Sequence, residues 1–558
     1  MIVDSRRNCS PHGCGISVLV AVFWTLCGMM ECPAWANTPV PAAPQTPPAS
    51  TATSAAASPE TQPKFTVNEY RVIGNTVLSS RDIETALYPL LGEGKSFPDV
   101  EAARAALEAA YHNRGFGTVF VDIVPGNDLA DGLVRLRVTE GKVNAATISG
   151  AKYFSEKKIL EQIPAAAPGS VLSIADLQRQ LADVNTQTAD RSVVPILRAG
   201  PIPGTVDLAF KVDDHLPLHG SVELNNQATP DTDSLRVNGS LQYTNLFADL
   251  DAISLQYQDT PQKFGEAAVF AINYASRPIF TTWRPSAYFI DSNSNVSTIG
   301  TLGVVGKGQI SGLRLSDILQ ADSAANQAIV FGIDYKHFRQ TIDLAAAAAL
   351  DTPITYVNVS AAYSGSWREN SLFETLNLSA NFGPRGLARV NGADEFENDR
   401  LKSRANYFYV RGDGSLTWGA PLYWRLTVRA AGQYTREPLV TNEDFSIAGV
   451  DGVRGYLEAE VLADTAVKGT VQLQLPTWRL KERSIVDGFV FFDDAHGSML
   501  EALLGEPTHF DLRSTGAGLD LFPGGSYTSS VVWALPLVDG TRTRRHDSRV
   551  LFLIRGSF

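Results

Sequence analysis

From about Leu218 to Phe558 the chain shows no helical period and instead alternates apolar with polar or small residues, the signature of strands whose two faces meet different media. Leu235, Val237, Leu241 and Tyr243 alternate with Arg236, Asn238, Ser240 and Gln242, read with a slip of one place at Gly239. Ile253, Leu255 and Tyr257 alternate with Ser254, Gln256 and Gln258. Trp424, Leu426, Val428, Ala430 and Tyr434 alternate with Arg425, Thr427, Arg429 and Gln433, and Val471, Leu473 and Leu475 with Gln472 and Gln474. Each run has one greasy face and one wet face that accepts charge.

A soluble sandwich alternates too, so other features must decide. Tyr and Trp on the apolar faces suit interfacial girdles, and no apolar run of the ~20 residues a spanning helix needs occurs after the N-terminal region. The last run, RVLFLIRGSF, puts Val550, Phe552, Ile554 and the terminal Phe558 on one face. An aromatic C-terminus on a final alternating strand resembles the assembly signal that the barrel-assembly machinery of bacterial outer membranes reads. About 340 residues, at roughly 20 per strand with its connection, give about 16 antiparallel strands. The expected fold class is therefore an all-β transmembrane barrel over residues 216–558, in contact with outer-membrane lipid and enclosing a polar lumen.

Residues 1–36 read as an export signal: Arg6 and Arg7 precede an apolar run from Ile16 to Met30, and Ala34–Ala36 offers a small-x-small cleavage pattern. The run is shorter than a membrane anchor requires. Cys9, Cys14, Cys27 and Cys32, the four cysteines of the chain, all precede that point, so the processed protein has no disulfide framework. The segment carries two basic and two acidic residues (Arg6 and Arg7, Asp4 and Glu31), so the formal net charge of −12 survives processing. Such acidity excludes a general nucleic-acid binder, which needs a basic footprint. Residues 37–64, rich in Pro, Ala, Ser and Thr, read as a flexible tether.

Beyond the tether the chain repeats itself. YRVIGNTVLSSRDIETAL (70–87) aligns without gaps on ATISGAKYFSEKKILEQI (146–163), pairing Val72 with Ile148, Gly74 with Gly150, Ser79 with Ser155 and Ile83 with Ile159. Each copy then carries a helical stripe: Val100, Ala103, Leu107, Ala110 and Tyr111 in the first, and Ile174, Leu177, Leu181 and Val184 in the second. Strand-like runs close both copies. The order strand, helix, helix, strand, strand gives two small α+β units, at 65–141 and 142–215.

One stretch breaks the alternation of the barrel region. SIAGVDGVRGYLEAEVLAD (446–464) is too long for a hairpin turn and centres on Arg454. Irregular backbone at membrane depth is tolerated where it lines a water-filled cavity, so a long loop can fold into a wet lumen. An arginine at its tip then requires a carboxylate to offset desolvation. Downstream, GFVFFDDAHG (488–497) offers Asp493 and Asp494. Alternation groups Asp493 with Phe491 and Ala495, and Asp494 with Phe492 and His496, without saying which set faces inward.

At these residues the chain resembles the outer-membrane transporters of two-partner secretion, the hemolysin-activator type. A V-R-G-Y loop tip in that family matches Val453, Arg454, Gly455 and Tyr456, and its F-x-D-x-G strand matches Phe491 and Asp493, with Ala495 in place of the final glycine. The first repeat resembles a POTRA domain through YHNRGFGTVFVDIVP and DGLVRLRVTEG, and the second through LADVNTQTADRSVVPILRAGPIPGTVDLAFKVDDHLP. The likeness runs from about Phe65 to the end. It implies two periplasmic POTRA domains, a sixteen-stranded barrel in the outer membrane of a Gram-negative cell, and an Arg454–Asp493 ion pair. It also implies export of a secreted exoprotein, of adhesin or cytolysin type with a β-helical body. Family members carry an N-terminal helix that plugs the barrel; here the matching region is the proline-broken tether, so no plug is assumed.

No cofactor is expected. GVDGVRG lacks the strand, Gly-rich loop and Lys context of a phosphate cradle. Lone acids beside His496 read as polar strand groups, and no serine-nucleophile motif stands near them, so neither a catalytic nor a metal site is expected and the chain is not read as an enzyme. TRTRRHDS (541–548) falls in the last hairpin, where it either meets lipopolysaccharide phosphates or is simply solvated. Two rivals stand beside the transporter: an assembly or insertion factor of the same superfamily, which usually carries more POTRA repeats, and a passive porin, which needs no capture domains.

Overall fold

The computed structural model describes residues 64–558 apart from 126–130, 248–249, 281, 295, 300–301, 322–323, 340, 343–349, 352, 388–389, 482–483 and 504. The export signal (1–36) and all of the tether except Lys64 therefore lie outside the described residues.

The first repeat folds as β1 (Phe65–Val67), β2 (Glu69–Ile73), α1 (Ser80–Leu87), β3 (Gly92–Lys95), α2 (Phe97–Asn113), β4 (Phe120–Ile123) and β5 (Leu133–Thr139). Its sheet runs β2–β5–β4, with β2 parallel to β5 and β4 antiparallel to it. The apolar stripe of α2 packs on this sheet, burying Val100, Ala103, Leu107 and Tyr111. One element departs from the order expected from sequence. Gly92 and Gly94 adopt φ of +122° and +69°, which lets β3 turn back and pair with β1 as a separate two-stranded ribbon.

The second repeat folds as β6 (Lys142–Ser149), α3 (Glu156–Glu161), α4 (Ile174–Thr186), β7 (Arg191–Ala199) and β8 (Thr205–Asp214), with sheet order β6–β8–β7. Leu177, Leu181 and Val184 form the buried stripe of α4. The two glycines paired by the sequence alignment do the same work in both units. Gly74 has φ +95° and Gly150 φ +92°, and an added Cβ would lie 2.4 Å from the Val138 carbonyl oxygen in one and 2.3 Å from that of Val212 in the other. Just beyond each glycine a buried carboxylate collects the turn's backbone N–H groups. Glu140 accepts from Thr76 (2.6 Å) and Val77 (3.2 Å), and Asp214 from Lys152 (2.9 Å), Tyr153 (2.8 Å) and Phe154 (3.2 Å).

The remainder closes into an antiparallel barrel of sixteen strands. In chain order they are β9 (Leu218–Asn225), β10 (Arg236–Leu246), β11 (Asp251–Asp259), β12 (Val269–Ala275), β13 (Arg284–Ser292), β14 (Gly308–Ala321), β15 (Ala325–Phe338), β16 (Ile354–Glu369), β17 (Leu372–Phe382), β18 (Phe408–Gly419), β19 (Arg425–Thr435), β20 (Thr465–Gln474, resuming at Trp478–Lys481), β21 (Ser484–Ser498), β22 (His509–Gly524), β23 (Tyr527–Pro536) and β24 (Arg549–Ser557). β24 returns to β9 and closes the cylinder. Leu241, Leu255, Phe331, Ile333, Leu378 and Val490 stand on the outer surface, the apolar wall a bilayer requires. The slip expected at Gly239 does not occur: Val237 through Tyr243 pair one for one with Asp259 through Ile253, and Gly239 takes an ordinary place opposite Tyr257.

The repeats enter the barrel at Leu218, which defines its near end. Asp190 of the second repeat accepts a hydrogen bond from Thr244 (2.9 Å) and lies 3.1 Å from His219 Nε2, while Asn245 donates to the Tyr153 carbonyl (2.9 Å), fastening the unit to the near rim. At the far end the connections 383–407 and 436–464 turn inward, burying Phe396 and Val453 among others. Phe338, Tyr356, Phe396, Tyr407 and Tyr409 form a buried aromatic core against the wall of β12–β18.

The lumenal loop and its seat

The connection between β19 and β20, residues 436–464, is drawn into the barrel. Its limbs pair briefly, Phe445–Ser446 with Leu462–Ala463, and its tip carries Val453, Arg454, Gly455 and Tyr456, all buried. Arg454 meets the wall at β20 and β21. Its Nε donates to Asp493 Oδ2 (2.9 Å), Nη2 to Asp493 Oδ1 (2.9 Å) and Nη1 to Gln472 Oε1 (3.0 Å). The Arg454 backbone N–H also reaches Asp493 Oδ2 (3.1 Å), so the carboxylate holds side chain and main chain together. Below the guanidinium lies the Phe491 ring, its centroid 3.4 Å from Arg454 Cζ. This joins a bidentate ion pair to a cation–π stack, a geometry that a planar guanidinium meets and an ammonium does not.

Strand alternation supplies the seat. Phe491, Asp493 and Ala495 point inward, and Asp493 and Ala495 are wholly buried. Gly516 on β22 leaves room for the Phe491 ring, since a Cβ there would come within 2.6 Å of it. Ala495, where the family pattern has glycine, packs its methyl in a cluster with Val453, Tyr456 and Ile447. Gly455 turns the tip with φ +96°, and an added Cβ would press on Pro536 at 3.2 Å. Tyr456 then donates its hydroxyl to the Val538 carbonyl (2.7 Å) and the Arg513 carbonyl (3.1 Å). The question sequence left open is answered here: Asp494 faces outward, bonded to Arg513 (2.8 Å) and His496 (3.2 Å), and takes no part in the seat.

Three further anchors hold the loop, none of them legible as a motif. Glu443, on the incoming limb, is buried against β15, β16 and β18, where it accepts from Tyr409 (2.7 Å), Tyr356 and Lys336. Asp464, at the loop's end and fully buried, takes both Nη atoms of Arg400 (2.8 and 2.6 Å) and the backbone N–H groups of Leu439 and Leu500 (2.7 Å each). Glu460 accepts from the backbone of Arg542 and Thr543 (2.7 Å each) and from the Thr543 hydroxyl, tying the loop to the last connection. The only signal for these in sequence is carboxylates set in a non-periodic stretch.

Phe558 ends the chain at the near rim. Its N–H donates to the Gly220 carbonyl (3.0 Å), and the Gly220 N–H donates in return to the Phe558 carbonyl (3.1 Å). The ring lies over Gly220, where a Cβ would stand 2.5 Å from it.

A closed antiparallel barrel with an apolar exterior, an arginine-tipped loop seated in its lumen and a POTRA domain ahead of it defines an outer-membrane β-barrel transporter. The family model described as "Haemolysin secretion/activation protein ShlB/FhaC/HecB" matches residues 204–493, and that described as "POTRA domain, ShlB-type" matches residues 65–141. The chain belongs to this haemolysin secretion/activation family, the transporters of two-partner secretion. Among similar proteins, the outer membrane transporter CdiB of Dickeya dadantii (strain 3937) is 23% identical over 450 residues, covering 78% of this chain and 76% of the relative. Of solved structures, CdiB from Escherichia coli matches with a TM-score of 0.57 at 19% identity, covering 91% of this chain and 93% of that one. BamA from Haemophilus ducreyi lacking POTRA domains 1–3 matches with a TM-score of 0.56 at 13% identity, covering 88% of this chain and 100% of that one. At these identities both structures speak to fold alone.

Proposed function

We propose that this chain captures an unfolded exoprotein in the periplasm with its two POTRA units and passes it through the barrel lumen to the cell exterior. The observation that carries this reading is the free edge of β7. That strand pairs with β8 along its full length, from Arg191–Asp214 to Ala199–Val206, and among the described residues its other side has no partner strand. Val194, Ile196 and Leu197 stand exposed along it. An open edge flanked by apolar side chains accepts an extended peptide as an added strand, with main-chain hydrogen bonds giving affinity. Pro195 lacks an N–H, so an added strand bonds on either side of that position.

In this reading the near end faces the periplasm and the loops face outward. The cargo is an adhesin or cytolysin with a β-helical body, whose folding outside supplies the driving force, and the chain performs no enzymatic step. Phe558 serves recognition by the barrel-assembly machinery. Arg544 and Arg545, exposed beside the lipid-facing Val550, suit the phosphates of lipopolysaccharide.

The test is to delete the gene and compare the large proteins that reach the culture medium, following any β-repeat exoprotein that a neighbouring gene encodes. Loss of that protein from the medium, with its degradation in the periplasm, is the expected result. Unchanged secretion overturns the reading.

A second reading, an assembly or insertion factor, draws on the closing seam. β21 and β22 pair from Ile485–Phe522 to Ser498–His509, whereas β24 and β9 pair only from Leu553–Asn225 to Ser557–Ser221. Above that point the Asn226 side chain stands in for a strand, donating to the Val550 carbonyl (2.8 Å) and accepting from the Phe552 N–H (2.8 Å). General loss of other outer-membrane barrels on deletion, with secretion intact, would select this reading.

A further inference from the structure

We infer that an extended polypeptide crosses this barrel along one arc of its wall, the cleft between the lumenal loop and the strands β24, β9, β10 and β11. The inference rests on the export reading above and specifies the route within it.

The lumen is unevenly filled. Toward the far end the arc of β12–β18 is covered by the aromatic core and by Glu443, and the arc of β20–β22 by the Arg454 seat and Tyr456. The seam side is left, and there the structure has a cavity of about 500 Å³. Its wall carries Ser221, Glu223 and Asn225 on β9, Asn238 and Ser240 on β10, and Gln256 on β11. The ladder sets these side chains in successive tiers: Ser221 opposite Ser240, Glu223 opposite Asn238, and Asn225 opposite Arg236. The track therefore follows β9 from near its entry to its far end.

The chemistry of this wall suits a moving peptide backbone. Apart from Glu223, which only accepts, and Arg236, which only donates, its side chains are amides and hydroxyls that both donate and accept, able to take over successive N–H and C=O groups of an extended chain. They already satisfy one another through exchangeable bonds, Ser221 to Ser240 at 2.7 Å and Asn238 to Glu223 at 3.1 Å. Glu223 also pairs with Arg555 across the seam. Among the described residues, polar side chains outnumber the apolar ones lining this cleft, Tyr257, Val450 and Leu553, in contrast to the aromatic core. Asp451 and Glu458 of the loop form the opposite side of the cleft. The roof is thin: Glu458 N–H donates to the Ala228 carbonyl (3.0 Å), and Arg542 pairs with Asp231 (2.9 Å). Tilting the loop away from β9 breaks the Glu458–Ala228 bond, and release of Arg542 from Asp231 on the neighbouring connections then opens the cleft outward, leaving the aromatic core in place.

Residues 37–558 contain no cysteine, so a single introduced one is unique in that part of the chain. The test places cysteine at Asn238 or Gln256 on the track, and at Asn377, which faces the same lumen from β17 opposite Asp413. Two measurements follow. In the first, the exoprotein identified by gene deletion is stalled in transit by a fused disulfide-stapled domain and given single cysteines. Disulfides are expected at 238 and 256; disulfides at 377 with none on the track overturn the route while leaving export standing. In the second, which needs no partner, a bulky cationic methanethiosulfonate is added to the purified chain in a planar bilayer. Conductance is expected to be largely lost with N238C or Q256C and largely kept with N377C, and the reverse pattern overturns the inference. If deletion leaves secretion unchanged, the export reading fails and with it a route for cargo, an outcome separate from either result above.

Discussion

Glu443 and Arg454 hold two parts of one loop against two different arcs of the barrel wall, the first on β15, β16 and β18 and the second on β20 and β21. Ten residues of loop, 444–453, lie between them, and each of the two is fixed by charge-assisted hydrogen bonds within buried surroundings. The loop is thus strapped at two points, and its release requires both to yield.

Removing one partner of the tip pair leaves the other charge buried, which costs about 3–5 kcal/mol. Arg454→Ala and Asp493→Ala are expected to free the tip, raising basal conductance in planar bilayers and lowering export. Exchanging the charges, Arg454→Asp with Asp493→Arg, is expected to recover export in part. Recovery stays partial because the Phe491 stack forms only with a guanidinium at position 454. A double exchange no better than either single variant, with barrels assembled normally, would count against the pairing as the functional contact.

Glu443→Gln keeps the shape of the incoming strap but removes the charge that Lys336 and two tyrosine hydroxyls meet. Charged hydrogen bonds are stronger than neutral ones, so the strap weakens by about 1–3 kcal/mol. The variant is expected to expose residues 436–464 to added protease while the tip pair persists. Combined with Arg454→Ala the loop should be cut faster than in either single variant; rates equal to those of Arg454→Ala alone would show that Glu443 bears no load.

The second repeat should be acid-sensitive through Asp214. Burial pushes its carboxyl up, but the N–H groups of Tyr153, Lys152 and Phe154 outweigh that and hold it below the usual range. A lowered folded value means that the stabilisation is present above the unfolded pKa of about 3.9 and is lost as pH falls through the folded one. The unit's calorimetric transition in the full chain should hold steady from neutral pH down to about 5 and then fall below about 4. Asp214→Asn should cost about 1–2 kcal/mol at neutral pH and flatten the acid fall. An unchanged acid profile in the variant would assign the sensitivity elsewhere.

Glycines with positive φ in the second repeat should differ sharply in tolerance. Gly150→Ala meets the Val212 carbonyl at 2.3 Å as well as an unfavourable backbone, and should cost about 2–5 kcal/mol. Gly169→Ala has φ +88° with nothing within 4 Å, so only the backbone cost of about 1–2 kcal/mol applies. Equal losses in the same calorimetric transition would mean that the carbonyl contact is relieved by a small shift.

Much of this architecture could be read in advance because it rests on short-range rules. Alternation in Val471–Gln474 and Trp424–Gln433 encodes which face of those strands meets lipid, and so which face carries Gln472 to the lumen. The repeats were legible because Gly74 and Gly150 answer the same local need for a positive φ. The anchors at Glu443, Glu460 and Asp464 were not. Their partners lie from 25 to 107 residues away and belong to non-periodic loops, so neither spacing nor alternation marks them. Asp493 and Asp494 show the limit in miniature: period two separates their faces, and only the closed barrel says which face is inside.

The double strap on the lumenal loop also bears on how the cell keeps its envelope sealed. A strap worth about 3 kcal/mol is open roughly one time in a hundred, and two acting independently are open together roughly one time in ten thousand. A wide protein conduit can then rest in the outer membrane without admitting detergents or bulky antibiotics. Losing either strap alone would raise that resting opening roughly a hundredfold, so the cell turns sensitive to such compounds even where export is only reduced.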